Sequence, residues 1–133
     1  MIVVDTNLLV YLYVPSGLTA RAEAVFARDS AWVAPLVWRS EFRSALVGLI
    51  RQGQLTVHLA GEMAHRAESW MSGREYAVTT DDVLRLAEAS GCSAYDCEFV
   101  AVAQDLAVRL VTADRQLLRA FPDTAISMEA FAP

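Results

Sequence analysis

The sequence predicts an α/β fold in which a central parallel sheet of about four to five strands is covered by helices on both faces. Two patterns carry that expectation. Short apolar runs alternate with longer segments of helical periodicity along the whole chain. Runs such as Ile2-Val3-Val4 and Leu110-Val111 are continuously apolar rather than alternating, as strands buried on both faces require. With 133 residues, 55% of them hydrophobic, the chain can bury one substantial core and is too apolar to be disordered. No linker, repeat or low-complexity stretch interrupts it, so residues 1–133 are expected to form one domain.

The elements follow in order. Residues 2–5 read as a strand, and a short helix runs from Asn7 to Tyr13 before Pro15-Ser16-Gly17 breaks it. Residues 19–28 are helical, with Thr19 as the expected N-cap, and Ala31 to Ala34 form a strand ended by Pro35. Leu36 to Arg51 is a long amphipathic helix stopped near Gly53, and about 58–72 is another, ending before Gly73. Tyr76 to Thr79 reads as a strand, Thr80 as the cap of a helix over 81–90, and Gly91 as its stop. Ser93 opens a helix reaching Ala107, Arg109 to Thr112 is a strand, 115–120 a short helix, and Ala125 to Ser127 a last strand.

Composition narrows the function less than the pattern does. No apolar run approaches the ~20 residues that span a bilayer, and the opening MIVVD has no basic segment or cleavage site of a secretion signal. A cytoplasmic protein without membrane contact is expected. Cys92 and Cys97 read as two buried or half-buried thiols, since they make no disulfide framework and lack the histidines of a zinc site. The net charge of −5 argues at first against a nucleic-acid partner. Local distribution outweighs that total, because metal binding at clustered acids leaves a nearly neutral balance. All eleven basic residues are arginine.

Four acids stand where burial makes them costly: Asp5, Glu41, Asp96 and Asp114. Asp5 closes the first apolar run. Asp114 follows Leu110-Val111 with Thr112 and Ala113 between. Glu41 falls inside the helical arc of Val37, Trp38, Phe42, Ala45, Leu46, Leu49 and Ile50, whereas Arg39 and Arg43 face away. Asp96 lies within the apolar face built by Tyr95, Phe99, Val100, Val102, Ala103 and Leu106; Glu98 points elsewhere, toward solvent. Each acid has an ordinary reading too. Asp5 and Asp114 serve as N-caps, Ser93-x-x-Asp96 resembles a capping box, and Glu41 pairs with an arginine. Together the four say more, because carboxylates within ~5 Å repel by roughly 3 kcal/mol per pair. Hard oxygen ligands without His or Cys point to Mg²⁺ or Mn²⁺. Ligands of parallel sheets sit beyond the carboxyl ends of strands, where Asp5 and Asp114 are expected.

Val4-Asp5-Thr6-Asn7, Glu41, Tyr95-Asp96 and Val111-Thr112-Ala113-Asp114, in that order over essentially the whole chain, resemble the PIN-domain ribonuclease family. The likeness is closest to the VapC-type toxins of bacterial toxin–antitoxin pairs. It implies a PIN-like three-layer sandwich, and Mg²⁺ or Mn²⁺ held by Asp5, Glu41, Asp96 and Asp114 as the catalytic acids. It also implies endoribonuclease activity that leaves a 5′-phosphate, a homodimer, and a VapB-like antitoxin as partner, with DNA reached only through that antitoxin. Thr112 matches the hydroxyl that orders the site, and Asn7 is a further polar neighbour. Arg115, Gln116 and Leu117 stand where some relatives carry another acid, a departure that leaves one metal or two both open.

Arg39, Arg43 and Arg115 flank these acids and are candidates for phosphate contact. His58 and His65 share one helical face far from the acids and read as surface residues. Trp32, Trp38 and Trp70 read as core. A rival reading makes the chain an inactive antitoxin-binding module that accepts a basic side chain among its carboxylates. A small-molecule phosphohydrolase is disfavoured, since no Gly-rich phosphate loop occurs and Asp5-Thr6-Asn7 lacks a second Asp.

Overall fold

A computed structural model describes residues 1–133. Its five strands are β1 (Ile2–Val4), β2 (Trp32–Pro35), β3 (Glu75–Tyr76), β4 (Leu110–Val111) and β5 (Ala125–Ile126). They form one parallel sheet in the order β3-β2-β1-β4-β5. Between them run α1 (Thr6–Tyr13), α2 (Thr19–Arg28), α3 (Trp38–Arg51), α4 (Val57–Met71), α5 (Thr80–Ser90), α6 (Ala94–Leu106), α7 (Arg115–Ala120) and α8 (Met128–Phe131). Helix α6 lies across β1, β2 and β4 with α5 packed on it, while α1 to α4 and α8 form a second group. The result is a three-layer α/β sandwich, as expected.

Strands β1, β2 and β4 are buried along their whole length, which explains why they read as unbroken apolar runs. One continuous core of 31 buried residues joins the sheet to both helical layers. Trp32 and Trp38 are fully buried in it, and Trp70 is half-buried against Phe26 and Trp32. Cys92 and Cys97 are both buried and free.

The order of the strands fixes the site. β1 registers with β2 on one side and with β4 on the other, so the chain reverses its direction of travel across the sheet there. Because Val4 pairs with Val111 in parallel, Asp5 and Asp114 emerge from the same end of the sheet.

Several boundaries differ from expectation for local reasons. The strand at 76–79 is confined to Glu75–Tyr76, and the helix expected from Leu36 starts at Trp38. Thr79 rather than Thr80 caps α5, its side chain accepting from the Asp82 amide. Either threonine is a competent cap, and the extended backbone at Thr79 (φ −85, ψ 141) selects it. Leu18, not Thr19, occupies the N-cap of α2; the Thr19 hydroxyl turns back to the Tyr11 carbonyl at 2.8 Å. Gly91 ends α5 in the left-handed region at φ 74, where a side chain is unfavourable.

Candidate functional site

Asp5, Asn7, Glu41, Asp96 and Asp114 line one hollow of about 240 Å³, together with Thr6 and Ser44. Each arrives by a different element. Asp5 is the first residue past β1, Glu41 lies in the first turn of α3, Asp96 in the first turn of α6, and Asp114 at the N-cap of α7. The starts of α6 and α7 are tied in place. Ser93 caps α6 by accepting from the Asp96 amide at 3.0 Å, and Gln116 donates to the Gly91 carbonyl at 3.3 Å.

Buried hydroxyls orient the acids. Thr112 is fully buried, and its hydroxyl donates to Asp5 Oδ2 at 2.6 Å. The same Thr112 oxygen accepts from the Asp114 amide at 3.0 Å, so one hydroxyl joins the ends of β1 and β4. Thr6, also buried, donates to Glu41 Oε1 at 2.9 Å. Asp114 Oδ1 accepts from the amides of Gln116 and Leu117, so its capping role is present alongside its place in the hollow. Asp5 occupies the N-cap of α1 without making a side-chain cap bond, which leaves its carboxylate to Thr112.

The electrostatics set this hollow apart, since no arginine or histidine lines it. Burial raises the pKa of Asp5; the Thr112 bond pulls it down, and the neighbouring charges of Asp96 and Asp114 push it up further. Glu41 is raised by burial and by Asp5, Asp96 and Glu98, against the pull of the Thr6 bond. Asp96 is raised by burial and by Asp114, against the pull of the Ser93 bond. Four carboxylates with raised or crowded charges and no countercharge suit a hard divalent cation, in number and in donor type. No three of them already stand in a ligating arrangement. Asp5, Glu41 and Asp114 are instead turned onto protein donors, which a cation would have to share.

Other sequence candidates lie elsewhere. Arg39 grips Glu75 through Nε at 2.6 Å and through a second nitrogen at 2.8 Å, and also approaches Glu68. Arg43 reaches Glu68 at 3.2 Å. Neither lines the acidic hollow, so both face away as their helical direction implies. Arg115 is exposed beside Asp114. His58 is exposed and pairs with Glu62 at 3.1 Å, and His65 is exposed on the same helix.

Two expectations need correcting. Glu98 is half-buried, not solvated: it lines a separate hollow with Val78, Thr80, Val83 and Leu84, and burial raises its pKa. Tyr95, expected on the buried face of α6, is 63% exposed because it lies in the first turn, beside the hollow rather than over the sheet. Sequence reasoning missed Thr6 and Ser44. The signal for Ser44 was its place three residues after Glu41, on the same helical face.

The fold and the site define a class: an open parallel α/β sandwich with an acidic, arginine-free hollow at its switch point. Within that class the chain belongs to the PIN domain family, whose model matches residues 2–122. It is 29% identical over 126 residues to Ribonuclease VapC3 of Pyrobaculum aerophilum, covering 91% of this chain and 95% of that protein. Among solved structures it resembles PAE2754 from Pyrobaculum aerophilum, with a TM-score of 0.74 and 25% identity over 96% of this chain and 90% of that one. The fold is also that of FitAcB from Neisseria gonorrhoeae, with a TM-score of 0.75 and 16% identity over 97% of this chain and 99% of that one. A toxin–antitoxin complex from Klebsiella pneumoniae gives a TM-score of 0.65 at 15% identity, over 96% of this chain and 98% of that one.

Proposed function

We propose that residues 1–133 act as one PIN-like nuclease domain, a divalent-cation-dependent endoribonuclease and the toxin of a cytoplasmic toxin–antitoxin pair. The observation that carries the reading is the hollow itself, in which four carboxylates gather at the switch point with no basic side chain among them. Similarity to a protein named Ribonuclease VapC3 supports the substrate class, and likeness in fold to a toxin–antitoxin complex supports the antitoxin partner.

Asp5, Glu41, Asp96 and Asp114 hold Mg²⁺ or Mn²⁺ in this reading. A cation bound there supplies Lewis acidity to the scissile phosphate and makes an adjacent water a stronger acid. The chain's own groups do the rest. Thr112 keeps the Asp5 carboxylate in one orientation while anchoring the Asp114 backbone, and Thr6 does the same for Glu41. One of the four carboxylates accepts the proton of that water. Asn7, exposed at the rim, offers an amide to the sugar or phosphate. Arg115 is the phosphate contact of this reading, because Arg39 and Arg43 are occupied by acids of their own. A VapB-like antitoxin and a second copy of the chain complete the proposed partners.

The test is cleavage of labelled total RNA by purified, antitoxin-free protein in Mg²⁺, Mn²⁺ or EDTA, beside Asp5→Ala and Asp96→Ala. Cation-dependent cutting by the wild type, absent from both folded variants, is the expected result. A folded wild type that cuts neither tRNA, rRNA nor mRNA overturns the nuclease and leaves an antitoxin-binding module.

A further inference from the structure

A second hollow, of about 270 Å³, adjoins the acidic one and is lined by Val37, Ser40, Glu41, Ser44 and Tyr95. Glu41 and Ser44 line both, so the two are one continuous depression with two chemistries. The first is wholly polar. The second has an aromatic ring that is 63% exposed, a half-buried valine and two exposed serines. Tyr95 also immediately precedes Asp96, so the ring and a candidate cation ligand leave the same turn of α6.

We infer that this second hollow seats one nucleobase of single-stranded RNA next to the scissile phosphate, with Tyr95 as the stacking surface. The inference rests on the ribonuclease reading and adds a base contact to the sugar and phosphate contacts of that reading. The net charge is −5, Arg39 and Arg43 are tied to acids, and no arginine lines either hollow, so charge alone does not hold a polyanion at this place. Stacking on an aromatic ring supplies affinity without charge, and unpaired bases offer their faces to it. The size agrees, since about 270 Å³ is just below the ~300–1,000 Å³ of pockets for drug-sized ligands and suits a single ring system. Ser40, Ser44 and the rim of Glu41 are positioned to read the edge of that base, the hydroxyls as donors or acceptors and the carboxylate as an acceptor from an amino group.

The experiment compares wild type, Tyr95→Phe and Tyr95→Ala in two assays. In the first, total RNA is cut in Mn²⁺ or Mg²⁺, the fragment ends are sequenced, and KM and kcat are measured on one oligonucleotide taken from a mapped site. In the second, that oligonucleotide and versions with one abasic position are bound in Ca²⁺ in place of the catalytic cation. Tyr95→Phe is expected to match the wild type. Tyr95→Ala should raise KM about fivefold to a hundredfold, with a smaller change in kcat, and flatten the base preference at one nucleotide flanking the cut. An abasic site at that nucleotide should weaken the wild type and leave Tyr95→Ala unaffected. Because Tyr95 is exposed, both variants should melt as the wild type does. If the wild type cuts RNA and folded Tyr95→Ala shows the same KM and cut-site profile, the base seat is overturned while the ribonuclease stands, and the hollow is left to a protein side chain. If the wild type cuts no RNA, the ribonuclease reading fails and takes the base seat with it.

Discussion

Two carboxylate clusters flank helix α3, and they are held in opposite ways. On one side Glu75 accepts a two-nitrogen grip from Arg39 and a further bond from the buried indole of Trp38 at 2.7 Å; its pKa is lowered, the Arg39 bond being the largest cause. On the other side Glu41, only two residues along α3 from Arg39, shares a hollow with three other acids and no base, and its pKa is raised by burial first. The first arrangement is how a protein stabilises a partly buried charge. The second leaves buried carboxylates beside like charges with no basic side chain to offset them. The contrast separates a cluster compensated within the chain from one that the proposed function completes with a cation.

The largest expected effect separates the two clusters by activity. Asp5→Ala or Asp96→Ala should reduce cation-dependent RNA cleavage by more than about a hundredfold, since even residues that merely orient metal ligands are worth 10–100-fold. Asp5→Asn should do the same while raising the melting temperature in EDTA, because it keeps an acceptor for Thr112 and removes a buried charge. Thermal melts and cleavage assays on the same preparations check both. An Asp5→Asn protein that melts lower than the wild type in EDTA would mean that the cluster carries no stored repulsion.

Glu75→Ala should show the reverse: a loss of about 2–3 kcal/mol in urea unfolding, because a fully buried indole N–H and a partly buried guanidinium lose their acceptor. Cleavage per folded molecule should hardly change. Glu75→Gln, which retains an acceptor for Trp38, should cost less. If Glu75→Ala abolished cleavage without unfolding the protein, the division between the clusters would fail.

Much of this division was legible before the structure. Strand ends place Asp5 and Asp114, and a 100° helical wheel exposes Glu41 and Asp96 as acids within apolar arcs. The helical wheel also turned Arg39 and Arg43 away from the site. What it lacked was distance along the axis. Tyr95 shares the angular sector of Phe99, yet it stands 63% exposed on the wall of a surface hollow while Phe99, one turn on, is buried in the core. The Arg39–Glu75 pair was invisible for another reason: it joins residues 36 apart, brought together by the pairing of β2 with β3, and strand register is not written in either segment alone. The Thr6–Glu41 bond, spanning 35 residues, escaped for the same reason.

Acidity sharpens the comparison. Asp5, Glu41 and Asp96 have raised pKa values, so their contribution to stability is fully present below the ordinary carboxylate range of about 4 and is lost as pH rises through their folded-state values. Glu98, raised by burial, adds in the same direction. Glu75 is lowered, so its contribution is fully present above that ordinary range and is lost only as pH falls through its depressed value. Cation-free protein should therefore melt higher at about pH 5 than at pH 7, with Glu75→Ala showing the same trend from a lower baseline. Saturating Mg²⁺ or Mn²⁺ should raise the pH 7 melt and flatten the slope, adding about 2.7 kcal/mol at a hundred times Kd. The Asp5→Asn melt should respond much less to either cation. A wild-type melt that ignores pH and both cations would place no charge repulsion in the hollow.

The smallest effects distinguish two exposed arginines. Arg43, 57% exposed, meets Glu68 at 3.2 Å, a surface pair whose loss in Arg43→Ala should cost less than about 0.5 kcal/mol. It should leave RNA binding and its salt dependence unchanged, since its guanidinium already has an acid. Arg115 adjoins Asp114 at the start of α7 and has no acidic partner within reach, so its charge is available to a phosphate. Arg115→Ala should leave the melt alone, weaken single-stranded RNA a few-fold, and reduce the slope of log affinity against log salt by about 0.7, the value for one phosphate contact on a single strand. Equal salt slopes for Arg115→Ala and the wild type would remove the last arginine from the phosphate path. The proposed nuclease would then have to draw its affinity from a cation at the four acids and from a base at Tyr95.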